Sequence, residues 1–140
     1  MGKILVIGAG GQIGTELTAA LKKRNGDDQV IAADIRKNDQ YPDDLFEVLD
    51  VTDYDALQNV IEKHDIDEVY QLAALLSASA EKKPMLGWQL NMDGLFNVLK
   101  LAKEGYIKKL FWPSSIAVFG PTTPKNNTPQ ETVMEPTTVY

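Results

Sequence analysis

Cysteine is absent from the 140 residues, and histidine occurs once, as His64. Without thiols there can be no disulfides, thiolate zinc sites or cysteine nucleophiles. A lone histidine cannot build a histidine cluster, so no metal site is expected. No apolar run nears the ~18 residues of a membrane span, and no membrane association is expected. Basic residues are outnumbered: 14 Lys and Arg stand against 20 Asp and Glu, a formal net charge of −6. That balance argues against a nucleic-acid partner, which favours a basic face. The N-terminus enters an apolar strand pattern at once, so no signal peptide is expected and the expected location is the cytoplasm. Hydrophobic residues make up 44% of the chain, enough to bury a core, and one domain is the expected count over 1–140.

The strongest pattern opens the chain. Ile4 to Ile7 is a continuous apolar run, as a parallel strand covered on both faces requires. Gly8, Gly11 and Gly14 follow at three-residue spacing. The first permits a tight turn, the second lets backbone N–H groups approach a pyrophosphate, and the third lets a helix pack against the strand. Gln12 and Ile13 lie at the start of that helix, whose positive end would face a diphosphate. Ile13, Leu17, Ala20 and Leu21 predict its inward stripe. A second apolar run, Val30 to Ala33, ends at Asp34, twenty residues past Gly14. A carboxylate there is placed to accept hydrogen bonds from an adenosine ribose. The combination predicts dinucleotide binding; a solvated strand end is the competing use of Asp34. A P-loop is excluded, because no Lys-Ser/Thr pair follows the last glycine.

Ile35 and Arg36 come next. The Arg36 guanidinium could stack on adenine or meet a 2′-phosphate, but Asp34 would repel that phosphate, which favours NAD over NADP. Leu45 to Leu49 reads as a third strand, followed by Asp50-Val51-Thr52-Asp53. Thr52 or Asp53 can cap the next helix. Asp50 could reach an adenine amino group or serve as a cap, with Val51 supplying a backbone contact. Leu57, Val60, Ile61 and His64 share one helical face, and His64 reads as structural at the helix end.

A fourth strand and its exit span Glu68 to Leu75. Ala73 and Ala74, after Leu72, are small enough at the exit for a flat ligand to lie on the backbone; tight helix packing is the simpler use. Leu76 to Ala80 reads as a loop carrying the Ser77 and Ser79 hydroxyls at a strand's carboxyl end, where open parallel sheets bind ligands. Pro84 can start a long helix. Its predicted apolar side is Trp88, Met92, Leu95, Val98, Leu99 and Ala102, with Asn91 embedded among them. That amide either bonds to backbone or organises a proton relay. Gly105 is a plausible stop. Lys109 to Trp112 begins a fifth strand. Strands alternating with helices predict an α/β fold with a doubly wound parallel sheet. Pro121, Pro124, Pro129 and Pro136 make the last twenty residues a loop.

The reacting groups would be Ser114 and Ser115 after the fifth strand, and Tyr140. A tyrosine can take a proton from an alcohol while hydride leaves to a nicotinamide, and a serine can hold the same oxygen. From spacing alone, Ser115 as an ordinary turn serine and Tyr140 as a frayed terminus are the favoured uses.

The glycine turn, Asp34, Leu72-Ala73-Ala74, Asn91-x-x-Gly94-x-x-Asn97 and Ser114-Ser115-x-Ala117-Val118-Phe119-Gly120 together resemble the extended short-chain dehydrogenase/reductase superfamily, in its NAD-dependent epimerase/dehydratase branch. Leu75-Leu76-Ser77-Ala78, Phe111-Trp112-Pro113 and Pro121-Thr122-Thr123-Pro124-Lys125 are further similar to the short-chain type of L-threonine 3-dehydrogenases. The resemblance implies a Rossmann fold and NAD-linked oxidation of the threonine β-hydroxyl to 2-amino-3-oxobutyrate. It implies Ser115 and Tyr140 as catalytic residues. It assigns substrate contacts to Ser77, Ser114, Ser115 and Tyr140. It assigns cofactor contacts to Gly8, Gly11, Gln12, Ile13, Gly14, Asp34, Ile35, Arg36, Asp50, Val51, Leu72, Ala73, Ala74, Asn91 and Tyr140. The family's lysine lies four residues beyond the tyrosine, followed by a sixth strand and a substrate domain. The chain is therefore expected to be the N-terminal part of a longer enzyme, homodimeric at full length and inactive as 140 residues. A sugar-nucleotide epimerase or dehydratase, and a nucleotide-binding module without catalysis, are the competing expectations.

Overall fold

The structure, a computed structural model, describes Gly2–Tyr140. Five strands form one sheet: β1 (Lys3–Ile7), β2 (Val30–Asp34), β3 (Phe46–Val48), β4 (Ile66–Gln71) and β5 (Lys109–Phe111). Their order is β3-β2-β1-β4-β5, and every pair is parallel. The chain thus builds outward from β1 in one direction, then crosses back to β4. Where the order reverses, the loops leaving β1 and β4 diverge and open a crevice at the strands' carboxyl ends.

Helices cover both faces, as the apolar runs of β1 and β2 require. These are α1 (Gln12–Asn25), α2 (Tyr54–His64), α3 (Ser77–Lys82), α4 (Pro84–Trp88) and α5 (Gly94–Lys103). Alternate residues of β1 serve the two layers. Leu5 and Ile7 pack with Leu57 and Ile61 of α2 and with Val98 and Leu101 of α5. Ile4 and Val6 pack with Leu21 of α1. Asp53 caps α2 by accepting a hydrogen bond from the Ala56 N–H at 3.0 Å. His64 ends that helix against Glu47 of β3, Nε2 to Oε1 2.6 Å. Gly105 follows α5 at φ +87°, a conformation open to glycine.

Three expectations are corrected. The inward side of α1 is Gly14, Thr18 and Leu21, with Leu17 half-buried against the same cluster as expected. Ile13 is 65% exposed, and Ala20 also faces out. The phase is set by Gly14, which brings the helix backbone directly against the turn. The segment from Pro84 to Lys103 is helical throughout but contains a π-turn, Gln89–Asp93. One extra residue in that turn rotates everything after it. Gly94, Val98 and Leu101 consequently face inward and Leu99 is 43% exposed, while ahead of the π-turn Gly87 is buried and Trp88 is 55% exposed. Finally, Ser77 to Lys82 is a short helix where a loop was expected, and β4 ends at Gln71, leaving Leu72 to Leu76 as its exit loop.

Candidate active site

The glycine turn is held largely by backbone, with the Thr15 hydroxyl donating to the Ala9 carbonyl at 3.2 Å. Gly8 and Ala9 both donate to the Ala33 carbonyl, at 2.8 and 3.0 Å, which locks β1 to the end of β2. Gly11 donates back to the Gly8 carbonyl at 3.1 Å. Gly8 has φ +86°, and a Cβ there would lie 2.8 Å from the Ala73 nitrogen. A Cβ on Gly14 would overlap the Gly8 carbonyl oxygen. Any side chain at either position would fill the cradle. Helix α1 then begins with no side-chain cap and no acidic residue in its first turn. Its leading N–H groups remain open to an anion, and the helix dipole adds to their attraction. A pyrophosphate fits this donor set.

On one side of the turn lies a cleft of about 780 Å³. Asp34, Ile35, Arg36, Asp50, Val51, Leu72, Ala73 and Ala74 line it together. Asp34 is more than a solvated strand end. Its Oδ2 accepts from the Gly10 N–H at 2.9 Å, and its Oδ1 has no protein partner among the described residues. Gly10 was not among the expected site residues, although it lies inside the recognised turn. Asp50 caps its own turn: its Oδ1 accepts from the Thr52 N–H at 2.9 Å and the Thr52 hydroxyl at 2.8 Å. Val51 is buried, and its carbonyl is held by Asn97 Nδ2 at 2.9 Å, which also reaches the Thr52 carbonyl at 3.0 Å. Asn97 therefore fixes one wall of this cleft from helix α5. Lys37 is tied to Asp43 at 3.1 Å, and the Asp43 hydrogen bond raises the Lys37 pKa. Arg36 forms no ion pair among the described residues.

Across the turn is a second chamber of about 490 Å³. Gln12, Ile13, Asn91, Ser114, Ser115 and Tyr140 line it, along with the Gly8, Gly11, Leu72, Ala73 and Ala74 shared by both chambers. The exposed Ile13 side chain thus has a place: it faces this chamber and not the core. Ser115 sits after β5 as the cap of a single 3₁₀ turn, Ile116–Val118, its Oγ accepting from the Ala117 N–H at 3.1 Å. Its own O–H proton is left free to donate. Asn91 uses both ends of its amide on one residue. Oδ1 accepts from the Leu75 N–H at 2.7 Å, and Nδ2 donates to the Leu75 carbonyl at 3.1 Å. Of the two roles open to that amide, backbone bonding is the one realised; it staples the β4 exit loop to the π-turn. Ser77 is the exception among the expected residues. As the first residue of α3 it lines neither chamber. Gln71, buried at the end of β4, joins the second chamber without having been foreseen. Its signal was a polar residue in an otherwise apolar strand end.

The chain is 49% identical to an uncharacterized epimerase/dehydratase from Staphylococcus epidermidis, over all of this chain and 45% of that protein. Among solved structures, a partial-consensus L-threonine 3-dehydrogenase superposes with a TM-score of 0.93 at 56% identity, over 98% of this chain and 44% of that one. The holo form of a GalE-like L-threonine dehydrogenase from Cupriavidus necator superposes equally well, TM-score 0.93 at 52% identity, over 98% of this chain and 45% of that one. The chain thus spans less than half the length of these relatives. Residues 4–140 match the family model described as the NAD dependent epimerase/dehydratase family. With its parallel sheet, glycine turn and two-chambered crevice, this chain belongs to the NAD dependent epimerase/dehydratase family.

Proposed function

We propose that this chain is the cofactor-binding and proton-transferring half of an NAD-dependent L-threonine 3-dehydrogenase. The observation that carries the reading is the shared chamber: Ser115 and Tyr140 line the same cavity as the open start of α1. The similarity to L-threonine dehydrogenases at 52–56% identity supports the substrate class.

The adenosine would lie in the larger cleft, with Asp34 Oδ1 accepting from a ribose hydroxyl and the carboxylate disfavouring a 2′-phosphate. The pyrophosphate would cross the turn onto the α1 N–H groups. Bound NAD supplies a hydride acceptor at its nicotinamide. The Ser115 O–H donates to the substrate β-oxygen and holds it. Tyr140, as its phenolate, would take the β-hydroxyl proton as threonine is oxidised to 2-amino-3-oxobutyrate. That proton would stay on the Tyr140 Oη.

The test is NADH absorbance with L-threonine and NAD, on the protein extended to the length of its relatives. Turnover in the parent and a fall of about 10²-fold or more in Tyr140→Phe are expected, the size of a lost general base. NAD bound without turnover, or turnover of a UDP- or GDP-sugar in place of threonine, would refute the assignment. The curated relatives' name, epimerase/dehydratase, is the reason the sugar-nucleotide assay is run alongside.

A further inference from the structure

Between Ser115 and Tyr140 the chain makes an excursion with almost no regular secondary structure, yet it is closed tightly at its neck. The Glu135 N–H donates to the Val118 carbonyl at 2.9 Å, joining two points seventeen positions apart. Two threonines brace that junction. Thr122 donates its N–H (3.1 Å) and its hydroxyl (2.7 Å) to Glu135 Oε2. These bonds hold the Glu135 carboxyl below the usual range. Thr123 is buried, donates its hydroxyl to the Val133 carbonyl at 2.7 Å, and accepts from the Gly120 N–H at 3.0 Å. The fit is close enough that a Cβ on Gly120 would overlap the Glu135 carbonyl oxygen.

The neck lies between the two reacting groups. Val118 is three residues after Ser115, and Glu135 is five before Tyr140. Val118 itself lines the chamber with both. Outside the neck, the segment's end is anchored by the Val139 N–H, which donates to Glu81 Oε1 at 2.7 Å; without the neck, that one exposed bond would work against the chain entropy of a long loop. A proton transfer needs heavy atoms within about 3 Å, and a displacement near 1 Å can cost about 10²-fold in rate.

We infer that Thr123 and Glu135 are positioning residues whose clamp sets the approach of Tyr140 to Ser115. The inference rests on the dehydrogenase reading above for its kinetic consequence, though not for its geometry. Neither residue lines either chamber, so neither touches a ligand directly.

The experiment uses the full-length protein with Thr123→Val, Thr123→Ser and Glu135→Gln. Thr123→Val keeps shape and removes the hydroxyl, so kcat should fall roughly tenfold to a hundredfold. KM for NAD should stay within about twofold of the parent, because the adenosine cleft is untouched. Thr123→Ser restores the hydroxyl and should restore kcat. Glu135→Gln keeps one acceptor oxygen and should lie between. A general loss of folding would instead lower the melting temperature and weaken NAD binding together. Crystal structures of the parent and Thr123→Val decide the geometry independently of turnover. A displaced Tyr140 ring in Thr123→Val is expected. An unmoved ring, an unchanged kcat, or a loss that Thr123→Ser does not rescue would overturn the clamp. If the parent turns over neither threonine nor a sugar nucleotide, the dehydrogenase reading fails, while the position of Tyr140 still decides the clamp.

Discussion

Gly14→Ala tests the central cradle. A single methyl group there would overlap the Gly8 carbonyl oxygen and lie 2.8 Å from Ala9 Cα and 2.9 Å from Gly8 C. All three are backbone atoms, so no side chain can swing aside. Carbon contacts relax at about 3.5–4.0 Å, which means α1 must back away from the turn by roughly 1 Å. Overpacking of this kind costs about 1–3 kcal/mol. Alanine recovers about 1 kcal/mol of helix propensity, leaving a net loss of roughly 0–2 kcal/mol in stability. The effect on NAD should be larger. N–H groups that meet a pyrophosphate at hydrogen-bond distance would be moved off it, and charge-assisted bonds are worth about 1.5–3 kcal/mol. A rise in Kd for NAD of about 10- to 100-fold follows. Titration calorimetry with NAD and equilibrium denaturation on the same samples separate the two effects. Gly105→Ala is the control: it too replaces a glycine, at φ +87°, but nothing lies within 4 Å of the added Cβ. It should lose roughly 1 kcal/mol of stability to backbone strain and none of its NAD affinity. If Gly14→Ala binds NAD within twofold of the parent, or Gly105→Ala weakens binding as much, close backbone approach is not what the turn provides.

Asp34→Ala removes both the acceptor for Gly10 and the charge that opposes a 2′-phosphate, so NAD affinity should fall by about tenfold while NADP affinity rises relative to it, read by calorimetry with each nucleotide. Asn97→Leu leaves the Val51 and Thr52 carbonyls without their shared donor and should cost about 1–3 kcal/mol, seen in denaturant unfolding, with weaker NAD binding through the loosened wall. Glu47 gives a pH signature. Partial burial pushes its carboxyl up, but hydrogen bonds from His64 and Lys63 outweigh that and hold it below the ordinary value of 4.5. A carboxylate lowered on folding contributes stability above that ordinary value and loses it as pH falls toward the folded one. Glu47→Gln should therefore lose about 1 kcal/mol near neutral pH and show a flatter decline below about pH 4.5, in urea midpoints measured across the acid range.

The parts of the fold that could be read from the residues are those set by neighbours in sequence. The apolar runs of β1 and β2, the glycine spacing after β1, and the Asp53 cap each depend on residues within one or two turns of one another. Helix phase was less legible. In α1, Ile13 and Ala20 fit a 3.6-residue stripe as well as Leu21 does, but the helix is seated by Gly14 and Thr18, which carry no hydrophobic signal. In the helix from Pro84, any periodic count through Trp88 and Leu99 assumes a constant turn, and the π-turn at Gln89–Asp93 breaks that assumption. Nothing in five residues of Gln-Leu-Asn-Met-Asp announces a π-turn. The turn carries Asn91, whose amide bonds the Leu75 backbone sixteen residues away in sequence.

The same reasoning explains which site roles stayed open. Asp34, Asp50, Asn91 and Ser115 each had a ligand use and a structural use. In the structure each meets a backbone group first: Gly10, Thr52, Leu75 and Ala117. An unpaired backbone donor or acceptor in a partly closed crevice costs about 1–3 kcal/mol, and it is present whether or not a ligand is bound. Folding therefore takes its share of these side chains before binding does. What remains for a ligand is the second function of each group. Asp34 keeps one oxygen, and Ser115 keeps its proton. Asp50 keeps Oδ2, while Asn91 keeps one N–H and one lone pair on an amide already held at both ends by the Leu75 backbone. That order separates residues that touch a ligand from residues that hold the ones that do. It puts Asn91 and Asn97 in the second group, beside the Thr123–Glu135 clamp, and leaves Asp34, Ser115 and Tyr140 as the side chains whose loss should register in binding and turnover before it registers in stability.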